Sequence, residues 1–314
     1  MPNDKLWRRR GALLLCLALL IIIGYALWKR SGVAARDFGR PWLEFSGEKA
    51  LGHVQALVDL GPRPPGSAAS EKARAYIRKN LEAAGWQVDA QSFAAQTPRG
   101  MVAFVNLIAR QRGQSSSGER RFFLASHYDT KTFDTIRFVG ANDGGSSTGA
   151  LLEMSRVLSL HPRLAAKIDL VFFDGEEAYE EFTATDGLYG SRHFAKQLEQ
   201  EKSQNRYRGG ILWDMIGDRD LTITLPPDSP TELARGVFAA ADALQVRSHF
   251  TYSGSGILDD HSPLNHIGIP VIDLIDFDYP PWHTADDTMD KLSAESLRTV
   301  GAVTAYYLAE FAFK

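Results

Sequence analysis

Five short stretches hold the imidazoles and carboxylates that can grip a cation or move a proton. They are His127-Tyr128-Asp129, Asp143 within Gly140-Ala141-Asn142-Asp143-Gly144-Gly145, Asp174-Gly175-Glu176-Glu177, Asp214, and Trp282-His283-Thr284. Each has an ordinary reading on its own. A histidine after a strand is usually a hydrogen-bonded structural residue. Paired glutamates at a helix start answer the positive end of the helix dipole. An aspartate among glycines is a turn residue that bonds its own backbone. Brought to one place, these carboxylates would repel each other unless a cation compensated them. Imidazole and carboxylate ligands with one open position form a normal catalytic zinc shell. Cys16 is the single cysteine, which excludes a thiolate-built metal site and an intrachain disulfide.

The flanking sequence provides elements that can bring these stretches together. Apolar periodicity predicts helices over Gly47–Leu60, from an N-cap at Ser70 to a stop at Gly85, and over Ser146–Leu160, Tyr189–Gln200, Pro230–Leu244 and Ser293–Phe313. Short buried strands are predicted at Val102–Arg110, Arg121–Ser126, Asp169–Phe173, Gly210–Asp214 and Pro270–Ile275. Gln87–Gln96 pairs with Val102–Arg110 as an antiparallel hairpin at the sheet's edge. Gly61-Pro62-Arg63-Pro64-Pro65-Gly66 reads as a rigid turn, and Gly113–Gly118 as a Gly/Ser/Gln loop. Strands alternating with helices predict an α/β three-layer sandwich, with a mixed, mainly parallel sheet between helix layers. Ligands in open α/β sheets bind beyond the carboxyl ends of the strands. All five stretches fall there or in the loop between.

Charge is unevenly spread along the 314 residues. Residues 1–30 hold six Lys/Arg and one Asp, while the remainder holds 29 Lys/Arg and 37 Asp/Glu. A basic head on an acidic body argues against nucleic acid as the main partner. Gly11 to Trp28 is an uncharged apolar run flanked by Arg8, Arg9 and Arg10 on one side and Lys29 and Arg30 on the other. Its length is near the lower limit for crossing a bilayer, and Trp7, Tyr25 and Trp28 sit where interfacial aromatics belong. It is longer than a signal-peptide core, and Lys29-Arg30 interrupt the route to small residues, so an uncleaved transmembrane anchor is expected. The predicted organisation is a basic segment at 1–10, an anchor at 11–28, a tether at 29–45 and a catalytic domain at 46–314. Flanking charge is balanced across the span. A first span followed by a long domain exports that domain, and the lack of Asn-x-Ser/Thr sites favours a bacterial inner membrane with the domain facing the periplasm.

Further short segments fall in one order around the five stretches. They are Gly61-Pro62-Arg63 with Pro65-Gly66-Ser67, Gln96-Thr97-Pro98-x-Gly100, Asp186-x-Leu188-Tyr189-Gly190-Ser191-Arg192-His193, Asp259-Asp260-His261 and Asp286-Asp287 after Trp282-His283-Thr284. With these the sequence resembles the glutaminyl-peptide cyclotransferase family of the M28 zinc aminopeptidase clan, over nearly everything after about residue 45. Some members of that family are themselves membrane-anchored. The resemblance implies one catalytic zinc held by Asp143, Glu177 and His283. It implies proton transfer by Glu176, with Asp214 and Asp259 as supporting acids. It implies peptide or protein N-termini bearing glutamine as substrates, closed to pyroglutamate with release of ammonia. The segment Ala178–Tyr189 separates Glu177 from Gly190 as in the cyclases, where the clan's aminopeptidases have a short turn. Phe182 in this loop and Trp282 are candidate pocket walls, with core packing as the plainer reading of each.

Phe182 stands where cyclases often carry Trp, Asp273 where the animal enzymes have His, and Leu258 replaces a polar residue before Asp259. The animal enzymes' disulfide has no counterpart. The competing reading is an M28-type zinc aminopeptidase, with His127 and Asp214 completing a second metal site. A third is a membrane-tethered binding module that keeps the fold without the chemistry.

Overall fold

The computed structural model describes residues 38–111 and 120–313. The expected anchor and the Gly113–Gly118 loop lie outside the described residues. Among the described residues, no helix is long and apolar enough to cross a membrane.

Residues 40–313 form a mixed eight-stranded sheet in the order β1-β2-β4-β3-β5-β8-β6-β7. The strands are β1 Trp86–Thr97, β2 Gly100–Gln111, β3 Arg121–His127, β4 Ile168–Phe173, β5 Tyr207–Asp214, β6 Ile223–Leu225, β7 Phe250–Tyr252 and β8 Val271–Ile275. The predicted edge hairpin is β1–β2, antiparallel and in register from Trp86↔Gln111 to Thr97↔Gly100. β3 lies parallel to both β4 and β5, and β5 parallel to β8. The carboxyl ends of β3, β4, β5 and β8 therefore open on one edge of the sheet. β6 and β7 were not apparent in the sequence, because three residues are too few to show an alternation.

The α-helices of six residues or more are α1 Gly47–Val58, α2 Ala68–Ala83, α3 Ser147–Ser159, α4 Tyr189–Gln200, α5 Thr231–Ala243, α6 His261–His266 and α7 Ala294–Glu310. α1 starts where Ser46 Oγ accepts the Lys49 N–H. α2 starts at Ser67, whose side chain accepts the Ser70 N–H at 3.0 Å, so the predicted cap at Ser70 is corrected by one turn. Ser67 wins because its extended backbone suits a cap, while Ser70 is already helical and buried. Alternate strand residues face opposite layers. Phe123, Ala125, Val171 and Phe173 pack with Phe194 and Leu198 of α4 and Leu264 of α6. On the other face Phe122 meets Tyr307, and the Trp213 indole donates to Thr304 Oγ1 at 3.2 Å, both partners being in α7. The sheet is thus covered by helices on both sides.

Candidate active site

His127 ends β3, and Asp214 ends β5. Glu176 and Glu177 follow β4 through a turn at Gly175, which has φ +72°. Asp143 sits in the loop ahead of α3, with φ −75° and ψ 108°, between Gly140 and Gly144 at φ +54° and +71°. Gly144 is obligatory by space as well as by angle. A Cβ there would stand 2.7 Å from the Asp129 carbonyl oxygen and 2.9 Å from His127 Cε1.

The loops converge on one cavity of about 220 Å³. It is lined by Asp143, Glu176, Glu177, Phe182, Asp214, Asp259, Trp282 and His283, together with Met215, Ile275, Phe277 and the Ser255–Leu258 segment. Every candidate site residue is therefore brought to the same place. Phe182 and Trp282 are pocket walls rather than core. Trp282 remains 38% exposed and stacks on His283 with ring centroids 4.1 Å apart. The edges of Phe133 and Phe138 meet the His283 ring as well, so the imidazole is held among three aromatic rings. His283 itself has φ +55°, a left-handed conformation uncommon outside glycine and often found at functional sites.

Asp143, Glu177 and His283 present ligand atoms to one point. His283 Nε2 is 3.3 Å from Asp143 Oδ2 and 3.2 Å from Glu177 Oε2. Both carboxylate oxygens are buried yet accept no hydrogen bond. Donor atoms at that spacing suit one shared ion at the ~2.0–2.2 Å typical of zinc–nitrogen and zinc–oxygen bonds. The donor set and its unused lone pairs therefore fit a zinc ion. A second group shares Asp143 and adds His127 and Asp214. There His127 Nε2 lies 3.1 Å from Asp214 Oδ1 and 3.3 Å from Asp143 Oδ1. Burial opposes a charge on His127, but Asp214, Asp129 and Asp143 outweigh it and lift the imidazole well above its ordinary value.

Burial raises both neighbouring glutamates, each with a different second cause. Burial and the Asp143 charge push Glu177 up to about 7, with His283 acting the other way. Glu176 is raised well above the carboxylate range by burial and then by Asp259. Asp259 is raised in turn by burial, Asp214 and Asp260. Behind it lie Asp273 and His261, with ligand-type atoms within 4.8 Å of Asp259. Asp273 is thus buried beside Asp259.

Several positioning residues went unassigned in the sequence. Asp129 accepts the Glu176 and Glu177 N–H groups at 3.2 and 3.4 Å. Asp287 accepts those of Asn142 and Asp143 at 2.8 and 3.1 Å, and Tyr279 OH donates to it at 2.8 Å. Arg63 is fully buried and donates to the carbonyls of Tyr128, Val139 and Gly140 at 3.2, 2.8 and 3.0 Å. Burial brings its guanidinium down to about 10 despite Asp287, Asp129 and Asp143 nearby. Lys131 donates its backbone N–H to Glu177 Oε1 at 3.2 Å and its ammonium to the Ala178 carbonyl. The 178–188 loop is closed by Asp186, which accepts from the N–H groups of Tyr179 and Glu180 and from Tyr189 OH. The Gly-Pro-Arg turn and the Asp286-Asp287 pair were visible signals for two of these residues.

The fold and this site define a member of peptidase family M28, whose family description matches residues 106–308. The chain is 30% identical over 297 residues to glutaminyl-peptide cyclotransferase of Bos taurus, covering 81% of this chain and 80% of that protein. A glutaminyl cyclase from an Acidobacteriales bacterium superposes with TM-score 0.78 at 35% identity, covering 84% of this chain and 94% of that one. A leucine aminopeptidase precursor from Bacteroides thetaiotaomicron gives TM-score 0.75 at 26% identity, covering 85% and 98%. Within family M28 the chain belongs with the glutaminyl-peptide cyclotransferases.

Proposed function

We propose that this protein is a zinc-dependent glutaminyl-peptide cyclotransferase that converts N-terminal glutamine of peptides or proteins to pyroglutamate. The observation that carries the reading is the convergence of Asp143, Glu177 and His283 beside a buried, unspent Glu176 in a pocket sized for one side chain. One zinc ion bound by those three residues would polarise the γ-carboxamide carbonyl. The substrate's α-amine forms the new bond to that carbon, the carbon–nitrogen bond of the amide breaks, and ammonia leaves. Glu176 takes a proton from the amine and returns it to the departing nitrogen. Asp259 faces Glu176 electrically and holds its carboxyl high, and Asp214 holds His127. Phe182 and Trp282 confine the folded-back side chain near its attack geometry.

The experiment is incubation of the zinc-loaded full-length protein with Gln-peptides and with Leu-peptides. Ammonia from the first supports the reading, and free leucine from the second would replace it with an aminopeptidase. That alternative has one specific observation in its favour, the His127–Asp143–Asp214 group. It requires about two metal ions per chain, whereas the cyclase requires about one. In that group Asp214 Oδ1 is already hydrogen-bonded to His127 Nε2, whereas Asp143 Oδ2 and Glu177 Oε2 have no hydrogen-bond partner, which favours the single-ion reading.

We also infer that residues 11–28 anchor the chain in a bacterial inner membrane and that residues 46–314 act in the periplasm. Resistance of the protein to carbonate extraction, with protease access restricted to the periplasmic side, would support this placement. Release into the soluble fraction would end it.

A further inference from the structure

A peptide whose first residue fills the pocket must run out across the surface, and the structure holds a groove beside the pocket. This cavity of about 510 Å³ lies between α4 and α6 and shares Leu258 with the active-site pocket. Both flanking helices start at the site. α4 follows the loop that carries Phe182, and α6 follows Asp259 and Asp260. The groove therefore borders the pocket at Leu258, a leucine left half exposed that lines both. Leu188, Ile267 and Pro263 line the groove with apolar surface.

Its charge runs against that of the molecule. Beyond residue 30 the chain carries 29 Lys/Arg and 37 Asp/Glu. The groove is lined by Arg192, Lys196 and His266 against a single carboxylate, Glu199. Lys196 and His266 are exposed. Arg192 donates to the Ala184 carbonyl at 2.9 Å, which ties the groove wall to the pocket loop. Lys196 stands seven residues into α4, about 10 Å along the helix at 1.5 Å per residue. An extended peptide covers that distance in about three residues at ~3.3 Å each.

We propose that the α4–α6 groove is an extended substrate site that selects peptides carrying Asp or Glu at about positions three to five. The inference rests on the glutamine-cyclising reading of the pocket. An exposed ion pair contributes 0.2–1 kcal/mol, so two such contacts favour the acidic peptide by about twofold to thirtyfold in kcat/KM.

The test uses the zinc-loaded full-length protein and three substrates. One is a glutamine dipeptide amide. The others are pentapeptide amides that begin with glutamine and carry two aspartates or two lysines at positions three and four. The expected result is that the acidic peptide is preferred through a lower KM, and that the preference shrinks as salt is raised. Lys196→Glu combined with His266→Glu, both on the surface, should reverse the preference and leave the dipeptide amide within about twofold. Equal KM for the two pentapeptides, or a dipeptide slowed as much as the acidic peptide by the double variant, overturns the groove. Absence of ammonia from the dipeptide amide with the wild-type protein overturns the cyclase reading itself, and the groove assignment with it.

Discussion

Glu176 and Glu177 are neighbours in sequence, yet only Glu177 joins the candidate ion-binding group, and on the proposed mechanism removing each charge should have a different signature. Glu177 Oε2 faces His283 Nε2 at 3.2 Å and belongs to the ion-binding group. Glu176 lines the same cavity, is 6% exposed, and lies outside that group. Glu176→Gln keeps shape and volume but cannot accept a proton. General acid–base catalysis contributes about 10²–10⁴-fold, so kcat should fall by that factor, about 3–5 kcal/mol of activation free energy. Zinc content should stay at the wild-type value. The melting temperature should not fall, because Gln relieves a carboxyl that burial and Asp259 make costly to ionise. Glu177→Gln should instead lose metal affinity by more than the ~10–100-fold typical of residues that only support a ligand. The assay is ammonia release on a glutamine dipeptide amide, with elemental analysis of the same dialysed samples. Glu176→Gln retaining more than a tenth of wild-type kcat would refute the assignment. So would loss of zinc by both variants to the same degree.

Chelation should abolish turnover and lower the melting temperature. An ion present at a hundred times its Kd stabilises by about 2.7 kcal/mol, or roughly 5–10 °C in a domain of this size, and added zinc should restore both. Arg63→Met should cost about 3–5 kcal/mol in urea denaturation, because carbonyls of five residues lose a buried donor and nearby aspartates lose their cation. Asp174 tests the pH dependence. Burial and Asp129 raise its carboxyl to about 7, against ~3.9 unfolded, so the folded state binds the extra proton and stability falls as pH rises through that window. Asp174→Asn removes the penalty. Its stability relative to wild type should climb between pH 4 and 7, by at most about 4 kcal/mol, and be flat above; a constant difference across pH would contradict the shift.

The central strands and most helices were legible because each buries a periodic apolar face. The site was legible because its charged residues follow those strands directly. What escaped was chemistry that acts through the backbone. Asp129 and Asp287 hold N–H groups of Glu176, Glu177, Asn142 and Asp143, and no spacing rule marks a carboxylate as an acceptor for a remote main chain. Arg63 reads as part of a turn, and only the fold reveals that its guanidinium is buried beneath the Asp143 loop. α6 was missed because its six residues, His261–His266, include a proline and are too short for a helical period.

The three candidate ion ligands enter after β3, after β4 and after β8, with the last of them at position 283. A ribosome must therefore deliver the chain through residue 283 before the centre can exist. Partial chains, however well their early strands pair, have no means to close a ring. Activity in a cell extract thus counts only chains that extend past this histidine.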